Sequence, residues 1–121
     1  ITDAYALMKV LHKDNGVTRF RVIANMCRSV AEGQRLFNKL NTVCERFLEA
    51  SIHYIGAVPF DENLRKAVQT RKPILEYAPR SKASQAIRVI AERIDQLPVQ
   101  RNAKGHLEFF FERLLAVSGQ N

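Results

Sequence analysis

Two short polar stretches are the chain's best candidates for chemistry, Asn25-Met26 and Pro59-Phe60-Asp61, each directly after an apolar run. In open parallel α/β sheets, ligands bind beyond the carboxyl ends of the strands. The Asn25 amide can donate and accept at once, which suits a purine edge, and Pro59 with Phe60 offers flat apolar walls for a ring. The spacing leaves a plainer alternative open, in which Asn25 only turns the chain and Asp61 only caps the helix after it. Other chemistry finds little support. His12, His53 and His106 lie far apart, with no His-x-x-x-His or Cys-x-x-Cys spacing, so no metal site is expected. Cys27 falls just past a strand end, but nothing around it marks an activated thiol, and Cys44 reads as a core residue of its helix. Gly33 and Lys39 have the separation seen in a phosphate-binding loop. Asn38, however, replaces the second glycine, Leu40 replaces the magnesium-binding hydroxyl, and the stretch lies inside a helix pattern.

Apolar periodicity supplies the elements that must position those stretches. Thr2 or Asp3 caps a helix with Ala4, Leu7, Met8 and Leu11 along one face, and Asp14-Asn15-Gly16 stops it. Phe20 to Ala24 reads as a buried strand that ends in the Asn25 loop. Ser29 and Glu32 form a capping-box pair, after which Leu36, Phe37, Leu40, Val43, Cys44, Phe47 and Leu48 repeat with the helical period. Ile52 to Val58 is a second strand, broken at Pro59. Strand, helix, strand is a βαβ unit, with parallel strands and a right-handed crossover.

Asp61 then caps a short helix through Val68, ended by Arg71-Lys72-Pro73. Ser81 opens another, with Ala83, Ala86, Ile87, Ile90, Ala91, Ile94 and Leu97 on one face. Residues 98–105 have linker composition, and Leu107, Phe110, Phe111, Leu114 and Leu115 give the stretch 106–117 one apolar face. Two parallel strands make a marginal sheet by themselves, and the first residue is Ile1 rather than Met. The chain is therefore expected to be part of something longer.

A length of 121 residues, 46% hydrophobic and 26% charged, is the usage of one packed domain and argues against disorder and coiled coil. No window is apolar for long enough to span a bilayer, and two unpaired cysteines suit a reducing cytoplasm. Lys and Arg outnumber Asp and Glu by 19 to 12, a net charge of +7 that invites anionic partners. Arg65, Lys66, Arg71, Lys72, Arg80, Lys82 and Arg88 crowd residues 61–90. Without a helix-turn-helix or RNP pattern, and with few interleaved aromatics, they read as a solvated or protein-binding face rather than a nucleic-acid one. The aromatic face of 106–117 suits docking on protein, an intermolecular groove or membrane insertion. Its polar side, with Arg113 against Glu108 and Glu112, favours protein over anionic lipid.

A set of segments identifies a family. Ile1-Thr2-Asp3-Ala4-Tyr5-Ala6-Leu7-Met8-Lys9, Val22-Ile23-Ala24-Asn25-Met26, Glu32-Gly33, Arg46-Phe47-Leu48, Tyr54-Ile55-Gly56-Ala57-Val58-Pro59-Phe60-Asp61, Arg65-Lys66-Ala67-Val68 and Gly105-His106-Leu107-Glu108-Phe109-Phe110 run through the chain in order. Together they closely resemble the C-terminal half of the FleN/FlhG flagellar-number regulators, which are MinD/ParA-like P-loop ATPases with a deviant Walker motif. The resemblance implies an α/β fold, a partial doubly wound parallel sheet made of the βαβ unit plus C-terminal helices. Residues 1–97 would form the C-terminal half of the ATPase domain, 98–105 a linker and 106–117 an amphipathic C-terminal helix.

It also implies ATP or ADP with Mg2+ as cofactor, an ATP-dependent homodimer, and restraint of a AAA+ flagellar transcriptional activator. The family's adenine-cradling positions carry over to Asn25, Met26, Pro59, Phe60 and Asp61, and its dimer or partner surface to Asp3 and Tyr5. Leu107, Phe110, Phe111, Leu114 and Leu115 would dock on protein or on a membrane, in the cytoplasm or at the cell pole. The Walker lysines, switch aspartates and magnesium ligands are expected upstream of Ile1. No catalytic residue is expected in this segment, and alone it is not expected to hydrolyse ATP. The alternative reading is a non-enzymatic basic module that binds nucleic acid or a protein partner through residues 61–90.

Overall fold

The computed structural model describes residues 1–98, in the order α1 (Thr2–Asn15), β1 (Arg19–Cys27), α2 (Val30–Phe47), β2 (Ser51–Pro59), α3 (Glu62–Thr70), α4 (Ile74–Tyr77) and α5 (Lys82–Asp95). The expected linker beyond Pro98 and the expected helix 106–117, with Leu107, Phe110, Phe111, Leu114 and Leu115, lie outside the described residues. No helix among the described residues is long and apolar enough to cross a membrane.

The capping pair starts α2 where its spacing predicts. Ser29 Oγ accepts from the Glu32 N–H at 3.1 Å, and the Glu32 carboxylate accepts from the Arg28 N–H at 3.2 Å. Such caps stabilise a helix start by about 1 kcal/mol. Because α2 carries the chain back to its starting edge, β1 and β2 pair in parallel, from Arg19 opposite Ser51 onward.

Helices cover both faces of this sheet, as parallel strands require. On one face Met8 of α1 and Leu40 and Cys44 of α2 pack with Leu48 and Ile52. On the other, Ala67 of α3, Ile74 of α4 and Ala83 and Ile90 of α5 pack on Ile55 and Val58.

β2 alternates between the two layers until an extra residue interrupts it. Val22 pairs with Tyr54, but Ile23 pairs with Gly56, so Ile55 has no partner of its own. A bulge of this kind breaks strict alternation. Tyr54 lies against Phe37 of α2, with ring centroids 5.1 Å apart, while both Ile55 and Gly56 turn toward α5. Ala57 then returns to α2, where it meets Gly33.

Several expectations need correction. α1 has Ile1 at its cap position with no side-chain cap bond, instead of a Thr2 or Asp3 cap. Of its expected apolar face only Met8 is buried, and Leu7 is 60% exposed. Its stop is as expected, with Gly16 left-handed at φ 67°. β1 is longer than Phe20 to Ala24 and less buried, since α5 packs on β2 and leaves Ile23 exposed. Phe47 is exposed at the end of α2, and Ile94 near the end of α5, where each helix runs past its neighbours. α5 stops at Asp95, before Leu97, although Leu97 still packs against the core. The single turn α4 has no counterpart in the sequence pattern; it forms because Pro73 turns the chain and buries Ile74.

Candidate functional site

The carboxyl end of β1 holds a second bulge. Ala24 pairs with Ala57 and Cys27 with Pro59, three steps on β1 against two on β2. The extra residue is absorbed at Asn25-Met26, where Met26 has a φ of 55°. A non-glycine residue in the left-handed region costs about 1–2 kcal/mol, and such strain concentrates where the backbone must aim a side chain.

The side chain aimed here is Asn25. Its Oδ1 accepts from the Met26 N–H at 2.9 Å, which leaves the two Nδ2 donors and one Oδ1 lone pair unused among the described residues. The Phe60 N–H donates to the Cys27 carbonyl at 2.8 Å, which ties the two strand-end loops together. The exposed Asn25 amide thus lies at the same end of the sheet as two apolar side chains that the fold leaves uncovered, Met26 at 64% exposure and Phe60 at 55%. Pro59 is half-buried as the last residue of β2.

Asp61 behaves differently from the rest of the group. Its Oδ1 accepts from the Asn63 N–H at 2.9 Å and its Oδ2 from the Ala83 N–H at 3.0 Å. The Ala83 bond first, then that of Asn63, holds the carboxyl below the usual aspartate range, against the opposing effect of burial. Asp61 therefore caps α3 and pins the start of α5 to it, the plainer of the two roles its spacing allowed.

The thiols are inert in this setting. Cys27 and Cys44 are buried and free, and burial pushes both up, helped at Cys27 by the Glu32 carboxylate. His12 Nδ1 donates to the Val17 carbonyl at 2.8 Å, closing the α1 turn, and His53 is exposed on β2. Asp3 is exposed on α1, whereas Tyr5 is half-buried against the Met8 cluster. His106 lies outside the described residues. The strand-end residues come together, and Asp3 and Tyr5 form a separate location on α1.

Sequence reasoning missed three supports. Gly33 lets α2 lie flush on β2, since a Cβ there would stand 2.7 Å from Tyr54 Oη and 2.9 Å from Ala57 Cβ. That Tyr54 hydroxyl is buried without a hydrogen-bond partner among the described residues. Arg93 Nη1 donates to the Ile55 carbonyl at 2.6 Å, satisfying the bulge from above Gly56. The Ile55-Gly56 pair inside an apolar run was the available signal, because a glycine within a strand often marks a bulge or a close approach.

These features belong to the class of parallel α/β proteins whose ligand sites are built from strand-end loops. Known proteins narrow this further. The chain is 53% identical over 115 residues to the antiactivator FleN of Pseudomonas aeruginosa, covering 95% of this chain and 41% of that protein. It is 32% identical over 127 residues to the flagellum site-determining protein YlxH of Helicobacter pylori, covering 98% of this chain and 41% of that protein. The chain is a FleN/FlhG-like segment, and it spans about two fifths of the length of these curated relatives (41% of each). No protein-family model matches it.

Proposed function

We propose that this segment supplies the base-side wall of the nucleotide site in a MinD-like ATPase that limits flagellar number by restraining a flagellar transcriptional activator. The observation that supports the site is the joining of the two strand-end loops through Phe60 N–H and Cys27 O, which brings Asn25, Met26 and Phe60 to the same end of the sheet. The regulatory half of the reading is supported by the two relatives, an antiactivator and a flagellum site-determining protein.

The residues present fit an adenine base. Asn25 Nδ2 offers a donor to a ring nitrogen, and its free Oδ1 lone pair accepts from an exocyclic amine. Met26 and Phe60 flank the ring with apolar surface, and Asp61 holds the Phe60 loop by capping two helices. ATP with Mg2+, when bound, supplies the hydrolysable phosphate bond that makes such a protein a switch. In this proposal the Walker and magnesium-binding residues belong to a preceding part of the chain. Asp3 and Tyr5 on α1 lie on the surface used by the homodimer or by the activator.

The test is titration of the full-length protein with a fluorescent ATP analogue. Asn25→Ala and Phe60→Ala should each weaken binding by about tenfold, the loss of one hydrogen bond or one ring contact, with thermal unfolding unchanged. Unchanged affinity in both variants would overturn the base-side assignment. Expression of each variant alongside a flagellar promoter reporter checks the regulatory half, where loss of restraint is expected.

A further inference from the structure

We infer that Arg93 is a positioning residue for the base side of the site, acting through the backbone of β2. The inference rests on the base-side reading proposed above and deepens it, by naming what holds the Phe60 loop in place.

The bulge in β2 has to be held from outside the strand pair. Ile55 has no partner of its own on β1 and is only 5% exposed, so its carbonyl depends on a donor from another element. Arg93 Nη1 is that donor, at 2.6 Å and across 38 positions of sequence. The bond is charge-assisted, which makes it stronger than one between neutral groups. Gly56 leaves the room for it, since a Cβ there would stand 3.1 Å from both Arg93 Nη1 and Ile90 Cγ1.

α5 grips the same stretch a second time. At its start the Ala83 N–H donates to Asp61 Oδ2 at 3.0 Å, one residue past Phe60. Between the two bonds Ile90 packs with Ile55 and Val58 in one core. Ala83 and Arg93 are about 15 Å apart along the helix, and Ile55 and Asp61 about 20 Å apart along the extended chain. Helix and strand therefore run side by side in opposite directions, and the stretch 55–61 is fastened to α5 at both ends.

Phe60 lies within the fastened stretch, with its N–H bound to Cys27 O at 2.8 Å. That bond ties the loop to β1, and the two bonds from α5 tie it to the helix layer. Loss of the Arg93 bond leaves residues 55–60 gripped by α5 only at Asp61. A loop that must then be ordered on binding loses affinity to that cost. Arg93 itself lines a hollow with Tyr54, Ile55, Gln96 and Leu97, away from Asn25, Met26 and Phe60, so its influence on the base passes through the backbone.

The test uses the full-length protein with Arg93→Met, which keeps the apolar stem and removes the donor, and Arg93→Lys, which keeps a donor. In Arg93→Met, hydrogen exchange of the amides of residues 56–60 should quicken by about tenfold, and affinity for ATP should fall by about threefold or more. Affinity for inorganic tripolyphosphate with Mg2+, which has no base, should stay unchanged, and Arg93→Lys should recover most of both losses. In a Phe60→Ala background Arg93→Met should weaken ATP binding no further. Unchanged exchange in Arg93→Met overturns the clamp. Equal losses for ATP and tripolyphosphate overturn the positioning role in favour of a general weakening of the fold. Quicker exchange with ATP affinity intact, in a protein that Phe60→Ala does weaken, overturns the link to the site. Asn25→Ala and Phe60→Ala without effect on ATP would instead remove the base-side reading itself, whatever the exchange rates.

Discussion

The Ala83 N–H donates to Asp61 Oδ2 at 3.0 Å across 22 positions of sequence, so one carboxylate governs the start of two helices. Its folded-state value lies below the unfolded one, so the stability contributed by the ionised form is present above the ordinary aspartate value of about 3.9 and lost as pH falls through the depressed value. Urea denaturation of the native protein should show stability declining below about pH 4, and Asp61→Ala should lower it at pH 7 by about 1–2 kcal/mol and flatten the decline. A variant with the same acid slope as the native protein would contradict the double cap.

Gly33 and Tyr54 should be coupled. Gly33→Ala gains about 1 kcal/mol of helix propensity, but the clash with Tyr54 Oη and Ala57 Cβ should cost about 1–3 kcal/mol, for a net loss. Tyr54→Phe removes a buried hydroxyl without a partner and should be neutral or stabilising by up to about 1 kcal/mol. In the double variant the nearest clash is gone, so its stability should exceed the sum of the single effects, a coupling that denaturant midpoints resolve. Strict additivity would show that the hydroxyl does not press on α2.

At Met26 the order of substitutions is the prediction. Glycine tolerates φ 55°, whereas a β-branched residue does not, so Met26→Val should be less stable than Met26→Gly by about 1–3 kcal/mol in thermal melts. Equal stabilities would mean that the bulge relaxes out of the left-handed region.

Both thiols should be silent in the folded protein. Cys27 and Cys44 are 2% and 0% exposed and held above their ordinary values by burial, so an aromatic disulfide reagent at pH 8 should label neither until denaturant is added. Rapid native labelling of Cys27 would revive it as a reactive group.

What the sequence disclosed was mostly what the chain encodes locally. Ser29 with Glu32, Asp61 before α3 and Ser81 before α5 are caps, written within a few residues of the groups they satisfy, and each starts its helix as the spacing predicts. The strand-end loops were visible for the same reason, as breaks after apolar runs. The use of Asp61's second oxygen was not, because Ala83 enters only through tertiary packing. Of the two bulges only that in β2 leaves a local trace, Gly56 inside an apolar run, and the slip in register itself is a property of two strands together. The exposure of Leu7 and Ile23 likewise depends on which neighbours pack beside them, which periodicity does not specify.

The extra residue in β2 also decides which changes in length the segment tolerates. Ile55 and Gly56 lie toward the same layer, so loss of Gly56 would restore simple alternation and leave Ala57 toward α2 and Val58 in its core. Loss of Ala57 would instead turn Val58 toward α2, and the chain would enter the Phe60 turn from the opposite side of the sheet. A single-codon deletion is thus a local change inside the bulge and an inversion of the strand's exit just beyond it.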